Sequence, residues 1–172
     1  MKKRTLGIII PLLTCFTLFA QEYIMFEGIY LELKEGGEIT KLESGVKKHN
    51  AKYHDGKNGP KAYLFNVLTG PYSGQYAWIM GPITLSHMDA SISADHTKDW
   101  EVNVERYARS HNYQYSTRDE DLTYNPDNEV VGTSILQRVF DVKNKSKDME
   151  AVVGAIKSIK ETLVKLDSDI AR

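Results

Sequence analysis

Residues 59–82 read GPKAYLFNVLTGPYSGQYAWIMGP, and the fold turns on this stretch. Two β-rich runs, KAYLFNVL (61–68) and QYAWIM (75–80), flank the segment TGPYSG (69–74). Aromatic and branched runs bounded by Gly and Pro form strands, so the segment between them predicts the turn of a β-hairpin. Successive side chains of a strand point to opposite faces. Tyr76, Trp78 and Met80 therefore share one side and Ala77 and Ile79 the other. In the partner run Tyr63, Phe65 and Val67 lie opposite Leu64, Asn66 and Leu68. A strand covered on one face alternates apolar with polar, and these two hardly do. Both faces of the hairpin need cover. Tyr72 falls in the turn, where it reaches solvent or a partner.

Upstream, EGIYLELKEGG (27–37) sets Ile29, Leu31 and Leu33 against Tyr30, Glu32 and Lys34, a strand closed by Gly-Gly. The next segment, 38–56, places Ile39, Leu42, Val46, His49 and Tyr53 at intervals of three and four, a helical stripe that Gly56 stops. Downstream of Gly81-Pro82, Trp100, Val104, Tyr107 and His111 repeat the helical spacing, with Thr97 or Asp99 as the N-cap. Residues 113–134 are polar and rich in turn formers, and read as a long excursion. SILQRVFDVK (134–143) reads as the last strand. In 146–167, Met149, Val152, Val153, Ile156, Ile159, Leu163 and Leu166 make one apolar helix face, with Gly154 as a blemish.

The order β-α-β-β-α-β plus a C-terminal helix predicts an α+β fold, a ferredoxin-like plait. Its antiparallel sheet has helices on one face, and the 27–34 and 75–80 strands are central. The second face then requires a ligand or a second sheet, because an open aromatic patch of that size is adhesive.

The first twenty residues stand apart. Lys2, Lys3 and Arg4 precede an almost wholly apolar run, Leu6 to Phe19, and Ala20 is followed by the polar Gln21 and Glu22. This is the pattern of a secretory signal peptide (1–20), leaving a single domain at 21–172 that is exported to the periplasm or the extracellular space. Leu18 at the −3 position departs from that pattern, and the alternative is a lipoprotein anchored at Cys15 through LLTC. The apolar run is too short for a permanent transmembrane helix, so no integral membrane segment is expected after cleavage. Cys15 is the only cysteine and leaves with the leader, so the exported domain has neither a disulfide nor a thiol nucleophile. Of 22 basic residues the leader holds three, leaving 19 against 23 acidic ones, a net charge of −4. Such a surface is not one for nucleic acid, which needs clustered Lys and Arg.

Within this frame Tyr30, Glu32, Asn66, Tyr76 and Trp78 are the ligand-binding candidates. If the polar side of the first strand is the side that carries Tyr76 and Trp78, they form a pocket of phenols, an indole and a carboxylate. Glu32, buried there, would serve as a general base. The alternative leaves Glu32 and Lys34 on a solvated margin. His49 and His111 are further catalytic candidates, although both sit on apolar helix stripes, where a histidine is more often part of a core. His54-Asp55 lies at a helix end, where a cation complements the dipole. No metal is expected. SHMDASISADH (86–96) supplies the candidates His87, Asp89 and His96, with Asp95, but lacks the spacing of H-E-x-x-H and reads rather as a polar loop-to-helix connection. RDEDLTYNPDNE (118–129) lacks the ligand spacing of a calcium loop. There is no G-x-S-x-G, P-loop or G-x-G-x-x-G, and phosphoryl-transfer and dinucleotide readings have no support.

In element order and in the aromatic hairpin GPKAYLFNVLTGPYSGQYAWIMGP, residues 23–166 resemble the dimeric α/β-barrel superfamily. That superfamily includes antibiotic-biosynthesis monooxygenase-like and NIPSNAP-like proteins. The resemblance implies a homodimer whose sheets face each other and enclose a hydrophobic or aromatic small molecule, or haem. It also implies a binding protein or an enzyme of the cofactor-free oxygenase or isomerase kind; no catalytic residue carries over by position. The alternative is a non-catalytic interaction module whose sheet face is only a dimer interface. Some relatives hold two plaits in one chain, so a truncated duplicate, its second unit starting at about residue 134, is a further reading.

Overall fold

The computed structural model describes residues 24–125, 135–139 and 142–170. The expected leader, with Cys15 and the expected cleavage point, lies outside the described residues. Four strands, β1 (Met25–Leu33), β2 (Ala62–Asn66), β3 (Tyr76–Ile83) and β4 (Ala108–Thr117), form one antiparallel sheet in the order β2-β3-β1-β4. Helices α1 (Ile39–Tyr53), α2 (Leu85–Met88), α3 (Ala94–Trp100) and α4 (Lys147–Ile170) complete an α+β chain, with a π-helical turn at Glu101–Glu105 continuing α3. This strand order is compatible with the ferredoxin-like plait, and β1 and β3 are its central pair.

The core forms on one face of the sheet. Ile29 and Leu31 of β1 pair with Trp78 and Tyr76 of β3, and all four are buried with Met80, Leu42 and Val46 of α1, and Val104 of the π-helical turn. Alternation is thus obeyed: every second residue of β1 and β3 meets the helices. Gly45 sets the distance between the two helical segments. A Cβ there would lie 1.8 Å from the Asn103 carbonyl oxygen, so only glycine lets α1 approach the turn this closely.

Three expectations are corrected. The fourth strand is Ala108–Thr117, where the spacing of Tyr107 and His111 predicts helix and 113–117 predicts loop. The helix stops at the π-helical turn, and the chain then pairs with β1 from Leu33↔Ala108 to Met25↔Thr117. β4 is an edge strand, mostly exposed on both sides, so it carries no apolar alternation to betray it. Residues 135–139, inside the expected last strand and at the start of the proposed duplicate unit, have no regular structure; 134, 140 and 141 lie outside the described residues. The N-cap of α3 is also reassigned. Ser93 fills it, its Oγ accepting from the His96 amide at 3.2 Å, in place of Thr97 or Asp99.

Helix α4 forms where its period predicts, yet Met149, Ile159, Leu163 and Leu166 on its apolar face are exposed. Lys160 Nζ donates to the carbonyl oxygens of Glu120 and Asp121. Among the described residues no helix is long and apolar enough to cross a membrane.

Candidate functional site

The β1–β3 register separates the residues expected to share a pocket. Tyr30 pairs with Ala77 and thus lies on the face away from the helices, with Glu32 two residues on. Tyr76 and Trp78 point the other way, under α1. The condition for one joint pocket is therefore not met. A one-residue change of register flips every side chain, and nothing local to either strand reveals which register holds.

On the helix side, Trp78 is a core residue, 3 % exposed, and its Nε1 donates to Asn50 Oδ1 at 2.9 Å. Asn50 in turn donates from Nδ2 to the Ala62 carbonyl at 2.9 Å, which ties α1 to the edge strand β2. Beside this tie an open groove of about 560 Å³ runs between α1 and β2. Asn66 and Tyr76 line it, joined by Glu43, Lys47, Asn50 and Tyr63. Tyr76 Oη donates to Glu43 Oε1 at 3.1 Å, and burial followed by that carboxylate raises the phenol above its usual range. Glu43, Lys47 and Asn50 escape the sequence reading because they fall between the apolar positions of α1, where polar residues are ordinarily solvated.

On the opposite face the Tyr30 ring stacks on Tyr72 with centroids 4.3 Å apart, and His111 lies 5.8 Å from Tyr72. Asn112 Nδ2 donates to Tyr72 Oη at 2.8 Å, so the turn tyrosine is held by β4. Asn112 has φ +50° beside a break in the β1–β4 register between Gly28 and Tyr30, the geometry of a bulge. His111 Nε2 meets Gln75 Oε1 at 2.8 Å. Glu32 pairs with the Arg109 guanidinium, and its side chain is 43 % exposed. The apolar enclosure a general base would need is absent there.

The histidines give the least expected arrangement. His49 from the middle of α1, His54 at its C-cap and His96 in the first turn of α3 converge, one ring nitrogen of each lying within 4.8 Å of the others. His54 Nε2 and His96 Nε2 are 3.0 Å apart. His49 is fully buried and His54 is 8 % exposed. His49 Nδ1 meets Asp99 Oδ1 at 2.9 Å, and Lys52 Nζ lies 3.5 Å from the other carboxylate oxygen. Trp100 stands edge-on to His49 at 5.0 Å and Trp78 to His54 at 5.2 Å, so indoles wall the group.

Burial, then the neighbouring His49 and His96, pushes His54 down to about 4. Burial also lowers His96, with His49 adding to the effect, and lowers His49 against the opposing pull of Asp99. Burial acts to raise the Asp99 carboxyl, but hydrogen bonds from His49 and Asn103, with the charges of His49 and Lys52, hold it below its usual range. Burial thus favours the neutral form of all three imidazoles.

Of the metal candidates read from 86–96, only His96 joins this group. His87 and Asp89 are exposed in and just after α2. His49, expected to sit in a core, does so, and His54 is the member with no signal beyond its place at a helix end. The partners lie on either side of the β2–β3 hairpin, 42 to 47 residues apart, so no short motif links them. Compared with family models, with curated proteins and with solved structures, the chain matches none of them.

Proposed function

We propose that this chain is an exported small-molecule-binding protein of plait architecture that works as a homodimer. The observation that carries the binding reading is the α1–β2 groove, where the Glu43 carboxylate, the Tyr76 phenol and the Asn50 amide meet the walls made by Val46 and Leu64. A concavity of a few hundred Å³ with apolar walls and a few convergent polar groups is the usual form of a ligand site. A flat or aromatic molecule with one hydrogen-bonding end fits that description. His111, on the uncovered face, already uses Nε2 on Gln75, which leaves haem as a test ligand and not as a component.

The dimer and barrel reading rests on the other face, where Tyr30, Tyr63, Phe65, Tyr72 and Ile79 lie with no described helix across them. A second copy meeting this face would place two sheets front to front. The leader at 1–20 supports export, and the LLTC sequence keeps the lipid-anchored form as its alternative.

The test is fluorescence titration with 1-naphthol and with haemin, read from the joint emission of Trp78 and Trp100, whose rings lie 5.3 Å apart. Binding that weakens about tenfold in Glu43→Ala, and not in Tyr30→Ala, supports the groove. No binding of either probe by the folded protein, together with a dimer in light scattering, favours the non-catalytic module whose sheet face is only an interface. A monomer at high concentration sinks the dimer.

A further inference from the structure

We propose that His49, His54 and His96 form a binding centre for one divalent transition-metal ion of the Zn²⁺, Co²⁺ or Cu²⁺ kind. The first argument is the protonation of His49. An ionised carboxylate can only accept, so the 2.9 Å contact with Asp99 puts the His49 proton on Nδ1 and leaves Nε2 as a lone pair. That Nε2 is buried with no hydrogen-bond partner. An orphan buried acceptor is destabilising, and an ion beside it would supply the partner.

The second argument is the pair that stands next to it. Two neutral imidazoles whose Nε2 atoms are 3.0 Å apart can share one proton as a hydrogen bond. That arrangement does nothing for His49. An ion would accept a lone pair from each of the three rings at once. Metal–nitrogen bonds of about 2.0–2.1 Å in a tetrahedral site set the nitrogens about 3.3 Å apart. The His54–His96 pair is within a few tenths of that spacing, and all three nitrogens lie within 4.8 Å of one another, so an ion would draw the rings closer together.

The surroundings agree. Asp99 is the outer carboxylate that orients a ligating histidine and strengthens it as a base. Imidazole donors suit Zn²⁺, Co²⁺ and Cu²⁺, whereas Mg²⁺ and Ca²⁺ select oxygen. Three ligands from α1 and α3 leave a fourth position for water or a small anion. Beside His96 lies Tyr53, its ring 4.6 Å away and its buried hydroxyl without a partner. This centre shares no residue with the groove at Glu43 and Tyr76, so the two readings stand or fall separately.

Chelator-treated protein titrated with Co²⁺ alone is the test. One ion per chain, with the intense visible bands of tetrahedral nitrogen coordination, is the expected result. On adding Zn²⁺, the ring signals of three of the five histidines should shift in NMR spectra while those of His87 and His111 do not. Affinity should fall about 10–100-fold in Asp99→Asn and at least as far in His96→Ala, and stay unchanged in His111→Ala. His96→Gln replaces His96→Ala if the latter does not fold. The proposal is overturned if the folded wild-type protein takes up no stoichiometric Co²⁺. It is equally overturned if the folded His96 variant binds as wild type, or if His87 and His111 are the rings that shift.

Discussion

Asp99 Oδ1 lies 2.9 Å from Nδ1 of the fully buried His49, and this contact fastens α3 to α1. Asp99 is itself only 12 % exposed at the side chain, so little water can replace it. Asp99→Ala removes the acceptor and leaves a buried imidazole N–H unpaired. The expected cost is about 2–3 kcal/mol, because the donor was bonded to a charged group. Urea denaturation of metal-free protein measures it. A loss below half a kcal/mol would show that the contact does not hold the helices together.

The approach of α1 to the π-helical turn gives a second prediction. Gly45→Ala puts a methyl 1.8 Å from the Asn103 carbonyl oxygen and 2.8 Å from its carbonyl carbon. These are backbone atoms, so the helices must separate rather than a side chain turn aside. Destabilisation of about 3 kcal/mol follows, the upper end for overpacking. Gly154→Ala is the control: nothing lies within 4 Å of a Cβ there, and removing a helix-interior glycine should raise stability by about 0.5–1 kcal/mol.

Acidification should unfold the metal-free protein through its histidines. His54 is held at about 4 in the folded state against an ordinary value near 6.5, and burial depresses His49 and His96 in the same direction. Between these values the unfolded chain binds more protons, so stability rises with pH in that window. The full contribution is present above about pH 6.5 and is lost as pH falls toward 4, on the order of 3 kcal/mol for His54 alone. Denaturant midpoints measured at pH 7.5, 6 and 5 give the slope. A midpoint that holds steady or rises on acidification contradicts the buried neutral group.

The tie from α1 to the sheet is a fourth target. Asn50→Leu removes the acceptor for Trp78 Nε1 and the donor to the Ala62 carbonyl together. Two unpaired groups at about 1–3 kcal/mol each give a loss of about 2–6 kcal/mol. Trp78 emission should change along with it, since its indole N–H loses its partner. Unchanged emission with unchanged stability would mean that this pair is not formed in solution.

How much of this was readable beforehand differs element by element. β1, α1 and the β2–β3 hairpin follow from periods of two and 3.6 and from Gly-Pro punctuation, all of which act within a few residues. β4 was hidden, since an edge strand exposed on both sides needs no apolar alternation, while Tyr107 and His111 happened to fall at helical spacing. The groove residues Glu43, Lys47 and Asn50 looked like the solvated side of a helix, because their relation to β2 depends on where α1 lies across the sheet.

The sequence by itself determined that β1, the β2–β3 hairpin, α1 and α4 exist, that β1 and β3 are central, and that the hairpin is apolar on both sides. Those properties are written in local alternation. Only the tertiary structure decided which side of the hairpin the helices cover, because cross-strand register is a long-range choice that places Trp78 with Ile29 and Tyr30 with Ala77. Only the tertiary structure, too, brought His96 onto His49 and His54. The docking of α3 on α1 converts residues more than forty positions apart into neighbours, and distance along the chain carries no trace of it.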